Sequence, residues 1–177
     1  MSTSVEVVRV ELDGGDERAA ARRALLDVLA ARLGVAADRV RLEQGPHGKP
    51  RLAGGAALRF NLTHTAGIAL VVLAERREVG VDAERVRADR DVVSLARHGL
   101  GDGAAAELAA LAPDAAVAEF HRRWVRHEAV LKCHGVGLVA APPAGAAVVV
   151  RDLEVGPGVA AAVAVAGDGP LEIRLAG

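Results

Sequence analysis

Hydrophobic residues along this chain recur with two periods, one of two residues and one of three to four. The first is typical of strands with one buried face, and the second of helices with one buried face. Residues 68–74 are almost entirely apolar, which predicts a central strand covered on both sides. The predicted strands span residues 4–12, 39–44, 58–62, 68–74, 79–84, 146–153, 159–165 and 171–175. The predicted helices span residues 16–33, 91–112 (as one or two short pieces) and 113–134.

The order of these elements is strand, helix, three strands, then strand, helices and two or three strands. This order indicates an α+β fold in which two similar α/β halves form a pseudo-dimer within one chain. We place the join near residues 75–79, which gives an N-terminal half of residues 1–76 and a C-terminal half of residues 77–177. No sequence repeat accompanies the repeated order, so the duplication is an inference from topology alone.

Composition narrows the class of protein. The chain has 177 residues, 51% of them hydrophobic, which is enough to bury a core. A formal net charge of −1 gives no global field that would favour nucleic acid or a membrane surface. The single cysteine, Cys133, excludes an internal disulfide and fits a reducing compartment. No uninterrupted apolar run approaches the length of roughly 20 residues that a membrane span needs, and no secretion signal is visible. We therefore expect a cytoplasmic protein. Two similar halves in one chain suggest a monomer.

The stretch from Trp124 to Gly135 carries the strongest functional signal. Glu128 stands on the apolar side of the predicted helix, where a carboxylate is costly unless a cation or metal lies beside it. Lys132, four residues on, projects from the same side, so the two could form a simple surface ion pair. However, Lys49 and Lys132 are the only lysines among 22 basic residues. A compact ammonium suits a phosphate oxygen or a titrating role better than an arginine does.

Asp82 and Glu84 lie two residues apart on a predicted strand, so both carboxylates face the same side. Two like charges at that distance repel unless a cation neutralises them. Hard oxygen ligands of this kind suit Mg²⁺, and Glu128 on a facing helix would complete a small oxygen-lined site. The alternative is a polar strand face that meets water.

Two further positions could contact phosphate. Lys49 lies in the loop of residues 45–50, where glycine allows close approach and Pro50 stiffens the exit. His64 lies between two threonines just past a predicted strand end, where it could donate to a phosphate oxygen. The alternatives are a solvated loop lysine and a histidine that serves only the turn.

Four motifs occur in order: Gly48-Lys49-Pro50, Phe60-Asn61-Leu62-Thr63-His64-Thr65, Gly80-Val81-Asp82-Ala83-Glu84, and Trp124-x-x-x-Glu128-Ala129-x-x-Lys132-x-x-Gly135-x-Gly137-Leu138. Together they resemble the 4′-phosphopantetheinyl transferase superfamily, specifically the Sfp-type branch, which is built as a pseudo-dimer in one chain and includes holo-acyl-carrier-protein synthases. The resemblance covers residues 48–138, about half the chain.

The resemblance implies an enzyme that transfers 4′-phosphopantetheine from coenzyme A to a serine of an acyl, polyketide or peptidyl carrier protein. The other product is adenosine 3′,5′-bisphosphate. It implies a Mg²⁺ site of Asp82, Glu84 and Glu128, and a coenzyme A site that includes Lys49, Pro50, Thr63 and His64. Glu128 would also help to remove the serine proton, directly or through a water, and Lys132 would steady the phosphate under attack.

His127 departs from the family pattern, which usually has lysine at this catalytic position; a histidine is only partly cationic near neutral pH. This substitution and the short chain motivate an alternative, a non-catalytic module that binds coenzyme A or a carrier. A metal-dependent phosphohydrolase would use the same acids.

Six arginines could form a basic rim for an acidic carrier helix, or could simply be solvated. They are Arg85, Arg87, Arg90, Arg122, Arg123 and Arg126.

Overall fold

The computed structural model describes residues 3–45, 48–136 and 145–177. Pro46 and His47 of the predicted loop, and Gly137 and Leu138 at the end of the fourth motif, lie outside the described residues. The strands are β1 (Thr3–Glu11), β2 (Leu42–Gln44), β3 (Pro50–Leu52), β4 (Leu58–Thr65), β5 (Ile68–Glu75), β6 (Val79–Arg85), β7 (Val148–Asp152), β8 (Val159–Ala166) and β9 (Leu171–Ala176). The helices are α1 (Glu17–Leu33), α2 (Val92–Gly99), α3 (Asp102–Ala109) and α4 (Pro113–His134).

The strands form two main sheets and one small hairpin. A four-stranded sheet has the order β4-β5-β1-β9, with β9 parallel to β1 and the other pairs antiparallel. An antiparallel three-stranded sheet has the order β6-β8-β7, and β2 pairs with β3. The predicted α+β class is therefore confirmed. In each main sheet a first strand (β1 or β6) pairs with the second strand of a later hairpin (β5 or β8), an order that agrees with the predicted halves. The pseudo-dimer and its boundary remain predictions, and β9 returns to the first sheet.

The elements stack as four layers, namely α1, the four-stranded sheet, the three-stranded sheet and α4. The core between the sheets contains Leu70 and Val72 of β5 together with Val81 of β6. The opposite face of β5 packs Val71 and Leu73 against α1. This strand is buried on both faces, as its continuous apolar sequence predicts.

Strand β8 shows how α4 comes close to the second sheet. Its valines, among them Val163 and Val165, face the core between the sheets. The alternating alanines Ala162 and Ala164 lie against α4. Because alanine leaves little bulk on that face, the helix axis can approach the sheet and bring its polar side chains to β6.

The structure corrects two predicted boundaries. The strand predicted for residues 39–44 begins only at Leu42, because Ala37–Arg39 forms a 3-10 turn. Strand β4 continues to Thr65, beyond the predicted end at Leu62. Ala66 and Gly67 both take positive φ (54° and 80°), which allows a two-residue hairpin turn and keeps Thr65 paired with Ile68. Among the described residues, no helix combines the length and apolar character of a membrane span.

Candidate active site

Strand β6 carries two of the predicted acids. Val79, Val81 and Ala83 point into the core between the sheets, so the alternate positions face the other way. On that side, Gly80 lies directly under α4, where an added Cβ would collide with the backbone of Ala129 and Cys133. Asp82 follows two residues later and is buried. The period-two pattern therefore places the Asp82 and Glu84 positions on the α4 side of β6.

Lys132 reaches Asp82 from α4. Its Nζ lies 2.6 Å from Asp82 Oδ1 and 3.5 Å from Thr63 Oγ1. Thr63 Oγ1 in turn donates to Asp82 Oδ1 at 3.4 Å. The cluster joins β4, β6 and α4. The local Glu128–Lys132 ion pair that the spacing allows is replaced by a pair between residues 50 positions apart.

Two carboxylate oxygens of this region are buried without a partner among the described residues, namely Asp82 Oδ2 and Glu128 Oε1. Burial raises the pKa of Glu128, and the nearby Asp82 charge raises it further, while Lys132 opposes the shift. The pKa of Glu84 is raised by the same two causes in the same order. Unpartnered carboxylate oxygens that repel one another are suited to a hard divalent cation.

This donor chemistry fits the predicted Mg²⁺, since Asp82 and Glu128 each keep one free oxygen. In the part of the chain that the structure describes, however, no three His, Cys, Asp or Glu side chains are grouped closely enough to hold a metal ion. The three-acid set of Asp82, Glu84 and Glu128 therefore remains a prediction.

His127 is half-buried next to Trp124, with the ring centroids 6.4 Å apart. Burial lowers the pKa of its imidazole. The side chain is therefore mainly neutral near pH 7. It does not supply the charge of the lysine that the family usually has at this position.

His64 lies on the opposite side of β4 from Thr63, because neighbouring residues on a strand face opposite ways. Its Nδ1 is 3.7 Å from Glu17 Oε2, in the first turn of α1. The structure thus does not bring His64 into the cluster of Thr63, Asp82 and Lys132. Its predicted contact with coenzyme A remains a prediction.

Lys49 and Pro50 line a cleft of about 340 Å³, together with the β4 residues Arg59 and Phe60 and the α4 residue His134. An adjoining space of about 230 Å³ shares Lys49 and Pro50 and extends to Asn61 and Lys132. Two of the four predicted coenzyme A residues, Lys49 and Pro50, therefore border one groove with Lys132, the lysine predicted to contact phosphate. Lys49 Nζ itself donates to three protein acceptors, at 2.7 to 3.0 Å.

A larger cavity of about 800 Å³ lies at the end of the four-stranded sheet. None of the predicted site residues lines it. Its arginines are mostly engaged within the chain: Arg32 pairs with Glu75 at 2.9 Å, and Arg77 donates to Ala166 O at 3.0 Å. We therefore take the groove beside Lys132 as the candidate functional site.

Comparison with known proteins identifies the same region. Residues 78–161 match the family model of the 4′-phosphopantetheinyl transferase superfamily. That span contains β6 and α4, and with them Asp82, Glu84, Glu128 and Lys132. Slightly less than half of the chain therefore carries the similarity to this superfamily.

Curated phosphopantetheinyl transferases are similar to part of the chain. AcpT of Salmonella typhimurium is 38% identical over 91 residues, which cover 51% of this chain and 47% of the relative. AcpT of Escherichia coli K12 is 36% identical over a stretch of the same length. HetI of a Nostoc species is 33% identical over 122 residues, 67% of this chain and 52% of the relative. The chain spans about half the length of the curated relatives it matches.

The polar motif in β4 contains two residues whose roles sequence reasoning missed. Asn61 Oδ1 accepts a hydrogen bond from Val81 N at 3.0 Å, and Thr65 Oγ1 accepts one from Arg85 N at 3.3 Å. With Thr63 between them, these side chains join the edge of β4 to the edge of β6. The sequence signal that could have revealed these roles is three polar residues at alternate positions of β4. Polar side chains on one face of a strand predict a polar partner opposite that face.

The predicted basic rim is largely neutralised within the chain. Arg122 and Arg123 both contact Glu119 at 2.6 Å, and Arg126 contacts Asp152. Arg87 pairs with Asp89 at 2.7 Å, two residues further along the chain. Because these guanidinium groups already have carboxylate partners, most of the rim offers little net charge to an acidic helix.

Proposed function

We propose that this chain transfers the 4′-phosphopantetheine group of coenzyme A to a serine of an acyl or peptidyl carrier protein and releases adenosine 3′,5′-bisphosphate. The observation that carries the proposal is the contact between Lys132 and Asp82, 2.6 Å apart, beside the buried Glu128. It brings together the two motifs of residues 80–84 and 124–135, which lie within the matched part of the chain.

In this mechanism Mg²⁺ would be held by Asp82, Glu84 and Glu128 and would neutralise charge on the pyrophosphate of coenzyme A. The free Asp82 Oδ2 and Glu128 Oε1 support this assignment. Lys132 would contact the phosphate under attack with the one N–H group that its bonds to Asp82 and Thr63 leave available. Glu128 would accept the proton of the attacking serine, directly or through a water.

Coenzyme A would lie in the groove bordered by Lys49 and Pro50 and would reach Lys132 past Asn61. The groove suits an elongated, phosphate-bearing ligand, because Lys132 lines its narrower part, while His134 and Arg59, which is paired with Glu78 at 2.8 Å, line its wider part. Thr63 lies at the inner end, where its hydroxyl would help to hold Asp82 and Lys132 in place.

The test is incubation of the protein with coenzyme A, MgCl₂ and apo carrier proteins of fatty acid, polyketide and peptide assembly. Transfer adds one phosphopantetheine mass to the carrier serine. Glu128→Gln should lower the transfer rate by about a hundredfold or more, since it removes the proposed base. Glu119→Gln is the matched control, because it makes the same change on the same helix at a residue paired with arginines. No mass gain on any carrier would refute the proposal.

Magnesium has a separate readout. We expect MgCl₂ to raise the melting temperature of the wild-type protein, because a ligand that binds only the folded state stabilises it. Glu128→Gln should reduce the shift, and Glu119→Gln should retain it. A shift of equal size in all three proteins would remove Glu128 from the metal site.

A non-catalytic module that binds coenzyme A is the second candidate. The observation in its favour is the half-buried His127, whose pKa is lowered by burial, at a position where the family usually has lysine. This candidate predicts binding of coenzyme A by calorimetry without mass gain on any carrier. The two measurements together separate it from the transferase.

A further inference from the structure

Lys49 links the β2–β3 hairpin to two elements of the site. Its Nζ donates to Glu78 Oε2 at 2.7 Å, to Val79 O at 3.0 Å and to Cys133 O at 2.9 Å. A lysine ammonium has three N–H groups, so these acceptors use all of them. The side chain is only 14% exposed. The ammonium is therefore fully hydrogen-bonded within the protein.

The acceptor on α4, Cys133 O, is one of the carbonyl groups that have no hydrogen-bond partner within the helix. The last carbonyls of a helix have no intrahelical partner and need a cap. Gly135, with φ of 66°, and Val136 fold back so that their N–H groups reach Lys132 O and Leu131 O. The next carbonyl, Cys133 O, receives its hydrogen bond from Lys49. A cation at this place also complements the negative end of the helix dipole.

The other backbone acceptor belongs to the strand that carries Asp82. Val79 O lies three residues before Asp82 on β6, and Cys133 O lies one residue after Lys132 on α4. One ammonium thus binds the two elements that carry the 2.6 Å Lys132–Asp82 contact, close to where that contact forms. Gly80 permits this arrangement, since it lets α4 lie directly on β6.

We propose that Lys49 is a positioning residue, which fixes the last turn of α4 against β6 and so sets Lys132 against Asp82, and that it is not a ligand of coenzyme A. The first clause stands on the hydrogen bonds alone. The second rests on the proposed function. The positioning role takes the place of the coenzyme A contact that the sequence analysis predicts for Lys49.

Lys49→Met tests the proposal, because it keeps most of the stem and removes the three donors. Hydrogen exchange of the Gly135 and Val136 amides should become faster by about tenfold or more, since a charge-assisted cap is lost. The dissociation constant of coenzyme A, measured by calorimetry, should change by less than about fivefold. In the transfer assay kcat should fall while KM for coenzyme A stays within the same limit.

Arg32→Met is the matched control. Arg32 lies in the last turn of α1 and pairs with Glu75 at 2.9 Å, so the change removes a cation from the end of the other long helix. It should leave exchange in α4 and the affinity for coenzyme A unchanged. Glu78→Gln is a milder second variant, because it leaves both carbonyl acceptors of Lys49 in place; it should raise exchange less than Lys49→Met does. It also serves if Lys49→Met does not fold.

Unchanged exchange at Gly135 and Val136 in both variants would overturn the positioning role. A loss of coenzyme A affinity beyond about fivefold in Lys49→Met would overturn it as well, because a direct ligand would then be the better account. If the wild-type protein does not bind coenzyme A, the proposed function fails, and the exchange measurement still decides whether Lys49 fixes the end of α4.

Discussion

Gly80→Ala tests whether the close contact of α4 with β6 builds the site. A Cβ on Gly80 would lie 2.9 Å from Cys133 Cα, and it would be closer still to Ala129 O and Cys133 N. Ordinary contacts of this kind begin at 3.4 Å, so the helix backbone must move away by more than 0.5 Å. All three atoms belong to the backbone, which cannot rotate aside as a side chain would.

Overpacking of a close-packed core costs about 1–3 kcal/mol, and a backbone collision falls at the upper end of that range. We expect Gly80→Ala to lower the free energy of unfolding by about 3 kcal/mol. The displaced helix would also carry Lys132 away from Asp82, so transfer activity should fall in the folded fraction. Urea unfolding followed by circular dichroism measures the first effect, and the apo-carrier assay the second.

Gly103→Ala is the control, since it makes the same substitution in α3, where no atom lies within 4 Å of the added Cβ. Alanine in a helix is more favourable than glycine by up to about 1 kcal/mol, so this variant should be slightly more stable than the wild type. If Gly80→Ala unfolds at the same urea concentration as Gly103→Ala, the close approach of α4 does not constrain this protein.

Three other outcomes follow from single contacts. Lys132→Met should lower the free energy of unfolding by about 2 kcal/mol in urea titrations, because it leaves the buried Asp82 without its cation; an unchanged midpoint would contradict the pair. The Arg122 guanidinium holds the pKa of Glu119 at about 2, below the usual 4.5. The stability from this residue is therefore present above pH 4.5 and is lost as the pH falls towards 2, and Glu119→Gln should flatten that part of the pH–stability curve. Burial raises the pKa of Cys133 to about 11, so a thiol reagent at pH 8 should react only after unfolding.

Local patterns in the sequence predicted the features that depend on a few neighbouring residues. The period of two placed Asp82 and Glu84 on one face of β6, because alternation is a property of the strand itself. The end of α4 at Gly135 was predicted for the same kind of reason, since glycine takes the positive φ that closes a helix. The four motifs also predicted the similarity to the family whose model residues 78–161 match.

Contacts between distant residues were harder to predict. The spacing of Lys132 favoured Glu128 as its partner, whereas the folded chain pairs it with Asp82. The position of His64 depended on where β4 ends: the strand continues through three further residue pairs, and the His64 side chain lies near α1. In both cases a small shift in the placement of an element changes which side chains meet. The spacing of residues within one element does not determine that placement.

Residue patterns alone were enough to predict most of the elements, the faces on which the acids lie and the similarity to a known family. Only the tertiary structure decided that Lys132 pairs with Asp82, that Lys49 binds the end of α4, and that His127 is half-buried. The physical reason is that the first set depends on backbone periodicity within one element. The second depends on how closely α4 packs on the small residues of β6 and β8, and this distance is fixed only when the sheet and helix come together.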